Sequence, residues 1–224
     1  MLIVAATAAE IAPLLAALKQ RSNADGHLRS CTRGSHDVDV LTTGVGMVAT
    51  AAWSSRALTM NDYDLALNLG VCGSFDPEIP TGAVVHVVSE ELPEMGAEAD
   101  DSFLTLLDLT LLARDDFPFR DGRLTNAEPP TVAALQQLPR VRGITVNTVH
   151  GRESSIAEVR RRCDPQVETM EGAAFMYACL IRGTAFAEIR AVSNVVEKRN
   201  RATWKLDEAI GNLNAAALRI IDQT

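Results

Sequence analysis

Short apolar runs in this chain repeatedly give way to longer stretches with helical spacing, and that alternation constrains the fold more than any other feature. "LIVAA" leads into "AAEIAPLLAALKQ", where Ile11, Leu14, Leu15 and Leu18 recur at helical intervals. The first run suits a buried strand; the second predicts an amphipathic helix. "HLRSCTRG" and "DVDVLTTG" read as strands, and Gly44-Val45-Gly46 opens the helical run "MVATAAWSSRALTM". "DLALNLGVCGS", "GAVVHVVSEE" and "GITVNTVHG" read as further strands. A capping box of Ser155 with Glu158 predicts the start of the helix "IAEVRRRC". "VETM" predicts a short strand before the helix "EGAAFMYACLIR", which Gly183 ends. Beyond the strand "AFAEIRAVSN", Leu206, Ile210, Leu213, Ala217 and Ile220 form one stripe of a last helix. Residues 93–130, with acidic patches, "FPF" and "PP", read as the most irregular part.

Strands alternating with helices bury a mostly parallel sheet between helical layers, so one α/β domain over residues 1–224 is expected. A hydrophobic content of 47% supports a full core, and only 4% aromatic residues suits small aliphatic side chains packing helix on sheet. A formal charge of −8 argues against nucleic acid or an anionic membrane as partner. No apolar run reaches membrane-spanning length, and the N-terminus lacks the basic start of a signal peptide, so a cytoplasmic protein is expected. Cys31, Cys72, Cys163 and Cys179 show neither C-x-x-C nor Cys/His metal-ligand spacing. They are expected to be reduced thiols in or near the core, with no metal.

In open α/β sheets, ligands gather at the carboxyl ends of strands. The residues just past the expected strand ends are Glu10, Gly44 to Gly46, Gly70 to Gly73, Thr148 to Gly151, Met170-Glu171, and Arg190 with Ser193-Asn194. Several have ordinary readings. Glu10 suits a helix first turn, Glu171 a helix cap, and Asn194 a turn. Gly44-Val45-Gly46 falls short of the dinucleotide fingerprint, and no P-loop occurs. Arg190, inside an apolar strand, needs an anionic partner, for which Glu10 and Glu171 are the candidates.

Taken in order, "AATAAEIAPLL", "TTGVGMVATA", "LNLGVCGSF", "GAVVHVVSEE", "VETMEGAAFMYAC" and "IRAVSN" resemble the nucleoside phosphorylase/nucleosidase family, which splits the N-glycosidic bond of nucleosides. The resemblance implies a three-layer α/β/α sandwich around a twisted, mixed and mostly parallel sheet. It also implies no cofactor, a small nucleoside as ligand, and a homodimer or higher homo-oligomer. By motif, Glu10 is similar to the carboxylate that activates water. Glu171 is similar to the one that holds the ribose hydroxyls, with Met170 packing on the sugar, and Arg190 to the arginine that helps place water and carboxylates. An oxocarbenium-like sugar gains from such anions, and water needs a base within reach.

Phosphorylases of the family carry a Gly-Asp-Pro-x-Arg loop after the first strand. Here that loop is "TAAEIAP", whose carboxylate repels phosphate, so hydrolysis is favoured. Adenine-releasing members place an aspartate where this chain has Asn194. An amide accepts from a protonated N7 and donates to an oxygen at C6, which matches a 6-oxopurine. Buried mismatches of that kind discriminate by about 10⁴-fold.

Gly73, His150, Gly151 and Ser193 complete the expected base pocket, with His150 either stacking on the base or hydrogen-bonding to it. Some hydrolases of the family act on a substrate with an aromatic carboxylate on its 5′ side, and the resemblance implies that the basic, aromatic cluster Lys198, Arg199, Arg201, Trp204 and Lys205 lies there. Trp204 would stack on the ring, and one or more of Arg199, Arg201 and Lys205 would pair with its carboxylate. In one departure from the family pattern, Thr169 precedes Met170-Glu171 where an acid is usual, and Glu168 lies one earlier. An adenine-releasing nucleosidase, a phosphorylase and a non-catalytic nucleoside binder remain the alternatives.

Overall fold

The computed structural model describes residues 1–23, 26–100 and 102–224. Strand β1 (Leu2–Ala5) and a short helix α1 (Ala12–Ala17) lead to β2 (Lys19–Asn23), β3 (Leu28–Arg33) and β4 (His36–Thr42). Helix α2 (Met47–Met60), β5 (Ala66–Ser74) and β6 (Val84–Glu91) follow. The stretch expected to be irregular holds a separate hairpin, β7 (Gly96–Ala99) with β8 (Ser102–Thr105), then β9 (Phe119–Arg120) and β10 (Arg123–Thr125). The chain continues through α3 (Ala133–Gln136), β11 (Arg140–Thr145), α4 (Glu153–Cys163), β12 (Val167–Thr169) and α5 (Gly172–Arg182). It ends with β13 (Phe186–Val195), a 3₁₀ turn (Arg201–Thr203) and α6 (Leu206–Ile221).

Strand alternation builds the layers. Ile3 and Ala5 pack with Leu14 of α1, Leu135 of α3 and Leu213 and Ile220 of α6. Leu2 and Val4, pointing the other way, pack with Leu58 of α2 and Phe175 and Met176 of α5. Helices therefore cover both faces of the sheet, as expected for a three-layer α/β/α arrangement. All four cysteines are buried and free. Among the described residues no helix is long and apolar enough to cross a membrane.

The sheet is mixed in a way that shapes the site. β1 runs parallel to β4 and β5, and β13 runs parallel to β5. On the other side of β13, β6 is antiparallel, and β11 is parallel to β6 and to β12. β12 then pairs antiparallel with β5, so β5, β13, β6, β11 and β12 close into a ring.

Local expectations were met unevenly. α2 spans the whole run assigned to it, and Gly183 ends α5 at φ 74°. The helix expected over residues 8–20 shrinks to six residues: Leu18 is extended, and Lys19–Asn23 pairs with β3 instead. Edge pairing overrides the helical pattern there. α4 begins at Glu153, because Arg152 already occupies the N-cap in extended geometry. Ser155 therefore lies inside the first turn, donating to the Arg152 carbonyl (2.9 Å), and no capping box forms.

Candidate active site

Two glycines on β5 organise the site. Gly70 pairs in register with Arg190, and Gly73 with both Asn194 of β13 and Glu168 of β12. A methyl group at Gly70 would collide with Arg190 Nη1 and lie 3.2 Å from Glu10 Oε1. One at Gly73 would lie 3.3 Å from Asn194 Nδ2 and 3.5 Å from Glu168 Cγ. Missing side chains thus make room for two polar clusters, three residues or about 10 Å apart along one strand.

At the Gly70 end, Glu10 follows β1 and is held by Thr7. Thr7 N donates to Oε2 at 3.0 Å and Thr7 Oγ1 at 2.8 Å, while Val71 N donates to Oε1 at 3.3 Å. Glu171 occupies the N-cap position of α5 but does not cap its own helix. Its Oε1 accepts from Gly46 N (3.0 Å), which gives the Gly44-Val45-Gly46 turn a carboxylate to orient rather than a phosphate to bind. Burial raises the Glu171 pKa above its ordinary value, Arg190 and the Gly46 amide pull it back, and Glu10 pushes it up again. Met170 beside it is half-buried.

Arg190 lies in the middle of β13, not past its end, and is 1% exposed. Its direct ion-pair partner is Glu188, at 2.8 Å from Nε, with Asn68 Oδ1 accepting from Nη2. The expected partners, Glu10 and Glu171, act on it through their field. Burial opposes its charge, and Glu188, Glu171 and Glu10 together outweigh burial and raise its pKa.

Glu188 and Glu90 are both essentially unexposed. Burial and then the charge of Glu188 drive Glu90 well above the usual carboxyl range. Burial also raises Glu188, against the pull of Arg190. A Cβ on Gly172 would collide with both carboxylates, so the two crowd one buried point where ionising both is disfavoured. Thr145 Oγ1 donates to Glu90 Oε2 (2.9 Å), and Thr145 and Thr169 accept from the Ala173 and Gly172 amides (2.7 and 3.1 Å). Every strand of the closed ring thus supplies a side chain to one network beneath the N-terminus of α5. Sequence reasoning passed over Glu90, Glu188 and Asn68. The available signal was Glu188 two residues before Arg190, which puts two charges on one face of an apolar strand.

At the Gly73 end, Asn194 Oδ1 accepts from Ser193 Oγ (2.9 Å) and Nδ2 donates to the Val195 carbonyl (3.0 Å). One lone pair and one N–H remain for a ligand. His150 does not lie flat in the pocket. Its Nδ1 is 2.7 Å from Glu168 Oε2, its amide donates to Glu168 Oε1 (3.1 Å), and its ring meets Phe75 edge-on. Asn194, His150, Glu168, Gly73, Arg199 and Trp204 border a hollow of about 40 Å³. Small-molecule sites usually offer ~300–1,000 Å³, so the hollow as it stands is narrower than a bound base requires.

Trp204 is half-buried between two guanidinium groups, with Arg199 Cζ at 5.2 Å and Arg201 Cζ at 5.8 Å from its ring centre. Lys205 pairs instead with Glu208 (3.5 Å). Gly151 and Lys198 border a neighbouring hollow, and the Gly151 carbonyl is taken by the Arg199 amide (3.2 Å).

The chain matches the model of the phosphorylase superfamily over residues 1–222. It is 35% identical to the futalosine hydrolase of Streptomyces coelicolor over 80% of this chain and 76% of that one. It is 30% identical to the futalosine hydrolase of Acidothermus cellulolyticus over 96% and 87% respectively. Among solved structures, a methylthioadenosine/S-adenosylhomocysteine nucleosidase from Colwellia psychrerythraea in complex with adenine has a TM-score of 0.82 at 22% identity, covering 99% of this chain and 94% of that one. The futalosine hydrolase of Helicobacter pylori has a TM-score of 0.83 at 12% identity, covering 100% and 97%. The glycine-spaced strand, the carboxylates around Arg190 and this match along nearly the whole length lead to one conclusion: the chain belongs to the phosphorylase superfamily.

Proposed function

We propose that this protein is an N-glycosyl hydrolase that cleaves futalosine, releasing hypoxanthine and dehypoxanthine futalosine in the alternative route to menaquinone, as a cytoplasmic homo-oligomer without a cofactor. The observation that carries the reading is Asn194, with one donor and one acceptor free at the base end of the strand. Its N–H suits the oxygen at C6, and its Oδ1 suits a proton on N7. The relatives named futalosine hydrolase support the same choice.

The other residues fit around it. Glu10, fixed by three donors, takes a proton from the water that adds to C1′. Glu171 accepts from the ribose hydroxyls, Met170 packs on the sugar, and the carboxylates stabilise the positive charge that develops there. Arg190 sets the spacing of Glu10 and Glu171. Beyond the 5′ side, Trp204 offers its face, and Arg199 and Arg201 offer guanidinium groups to an aromatic carboxylate.

The test is chromatographic detection of free base after incubation with futalosine, inosine and methylthioadenosine, with and without phosphate. Hypoxanthine from futalosine, independent of phosphate, is expected. Adenine from methylthioadenosine alone would refute the reading. Glu10→Gln should lower kcat by at least ~10²-fold while KM changes little, because its contribution lies in the transition state.

A further inference from the structure

Hydrolysis of a purine nucleoside leaves one task unassigned. The departing base needs a proton, and the amide of Asn194 is no acid. We infer that His150, oriented by Glu168, delivers that proton to the base. This rests on the hydrolase reading above and adds to it the group that activates the leaving purine.

The register brings the parts together. Glu168, Gly73 and Asn194 lie side by side on β12, β5 and β13. Both flanking side chains approach the point where a Gly73 Cβ would be. His150 is tied to this rung through Glu168, which receives both its ring Nδ1 and its backbone amide. A carboxylate on Nδ1 holds that nitrogen as the N–H donor, so the second proton of the imidazolium resides on Nε2. The hydrogen bonds of the ring engage Nδ1, and His150 lines the hollow that it shares with Asn194.

The other ionisable groups around the hollow are poorer donors. Arg199 is engaged over the Trp204 ring, with Cζ 5.2 Å from its centre. Glu197 is exposed and accepts from the Thr203 hydroxyl (3.5 Å). Glu168 is 4% exposed and already accepts from His150. His150 combines a ring bordering the hollow with a carboxylate that fixes one of its nitrogens, the arrangement a general acid needs.

The step balances. As the C1′–N9 bond breaks, its electron pair moves into the purine and the Nε2 proton passes to N7, so the base leaves neutral. Asn194 Oδ1 then accepts from the new N7–H. On the sugar, water oxygen bonds to C1′ and Glu10 takes the proton that water loses. The enzyme returns to its starting state when Glu10 releases that proton and His150 regains one, with no net proton consumed. In this scheme His150 is a catalytic residue and Glu168 a positioning residue.

The test uses full-length wild type, His150→Ala, Glu168→Gln and the double variant, with futalosine as substrate. Thermal melts establish that each variant is folded. His150→Ala should lower kcat by ~10²–10⁴-fold with KM within about threefold, the range for loss of a general acid. Free imidazole should restore part of the lost rate in His150→Ala and none in Glu10→Gln. Glu168→Gln should lower kcat at little cost in KM, and the double variant should be no slower than His150→Ala, because the two act as a unit. A His150→Ala kcat within about threefold of wild type, or a loss confined to KM, would overturn the inference while leaving the hydrolase reading standing. Absence of hypoxanthine release by the wild type would instead overturn the substrate reading, and this inference with it.

Discussion

On the proposed reading Asn194 sets the base preference, because its two free hydrogen-bonding positions have opposite sense. Its N–H cannot bond to a 6-amino group, and a purine bearing one would leave a buried donor facing a donor. The Val195 carbonyl can only accept and so holds the amide nitrogen in place, and the preference cannot be reversed simply by turning the side chain over. Asn194→Asp removes the N–H and supplies an acceptor for an exocyclic amine. The ratio of kcat/KM for hypoxanthine-bearing over adenine-bearing nucleosides should fall by at least ~10²-fold, measured on futalosine against its 6-amino counterpart. An unchanged ratio would mean that the base is read elsewhere. This residue and its neighbours Glu10, Glu171 and Arg190 were legible in the sequence, because each lies in a short motif bounded by glycine or by a strand end.

At the scale of elements, β5 positions both halves of the site by what it lacks. The Arg190 guanidinium fills the space over Gly70 and is fixed there by Glu188 and Asn68, so it has little room to retreat. Gly70→Ala should displace it, lowering kcat by ~10²-fold or more at a stability cost of ~1–3 kcal/mol. Gly73→Ala meets Val196 Cγ2 (2.8 Å) and Asn194 instead, so it should act on KM and base preference more than on kcat. Steady-state kinetics and melting of the two variants separate these outcomes; equal kcat losses would refute the division of the strand. What was illegible follows from the same geometry. A strand's sequence shows which residues share a face, but not that β12 runs antiparallel against β5. That reversal brings Glu168 level with Gly73, and it places functional side chains along strands rather than beyond their ends. Likewise nothing local at Lys19–Asn23 announces a strand, because the pairing with β3 comes from elsewhere in the chain.

For the whole molecule, the buried ionisable groups make stability depend on pH in a direction that can be worked out. His86 is 2% exposed, its Nε2 has no partner, and its pKa is lowered to about 4 by burial first and Arg140 second. A group depressed in the fold contributes fully above its unfolded value of ~6.5 and loses that contribution as pH falls towards 4. Glu90, Glu188 and Glu171 are shifted the other way, led in each case by burial. Carboxyls raised in the fold contribute fully below their unfolded value of ~4.3, and that contribution declines as pH climbs through the folded values. Between those unfolded values the two effects oppose one another. Above pH ~6.5 His86 no longer varies, and only the carboxyl decline remains. Stability should then fall with rising pH until Glu90 has ionised, at up to ~1.4 kcal/mol per pH unit for one group. Denaturant unfolding of wild type and Glu90→Gln from pH 6.5 to 8.5 tests this. Gln keeps a donor for Glu188 but cannot lose a proton, so its stability should be flatter across the range. Parallel curves would mean that Glu90 does not carry the pH dependence.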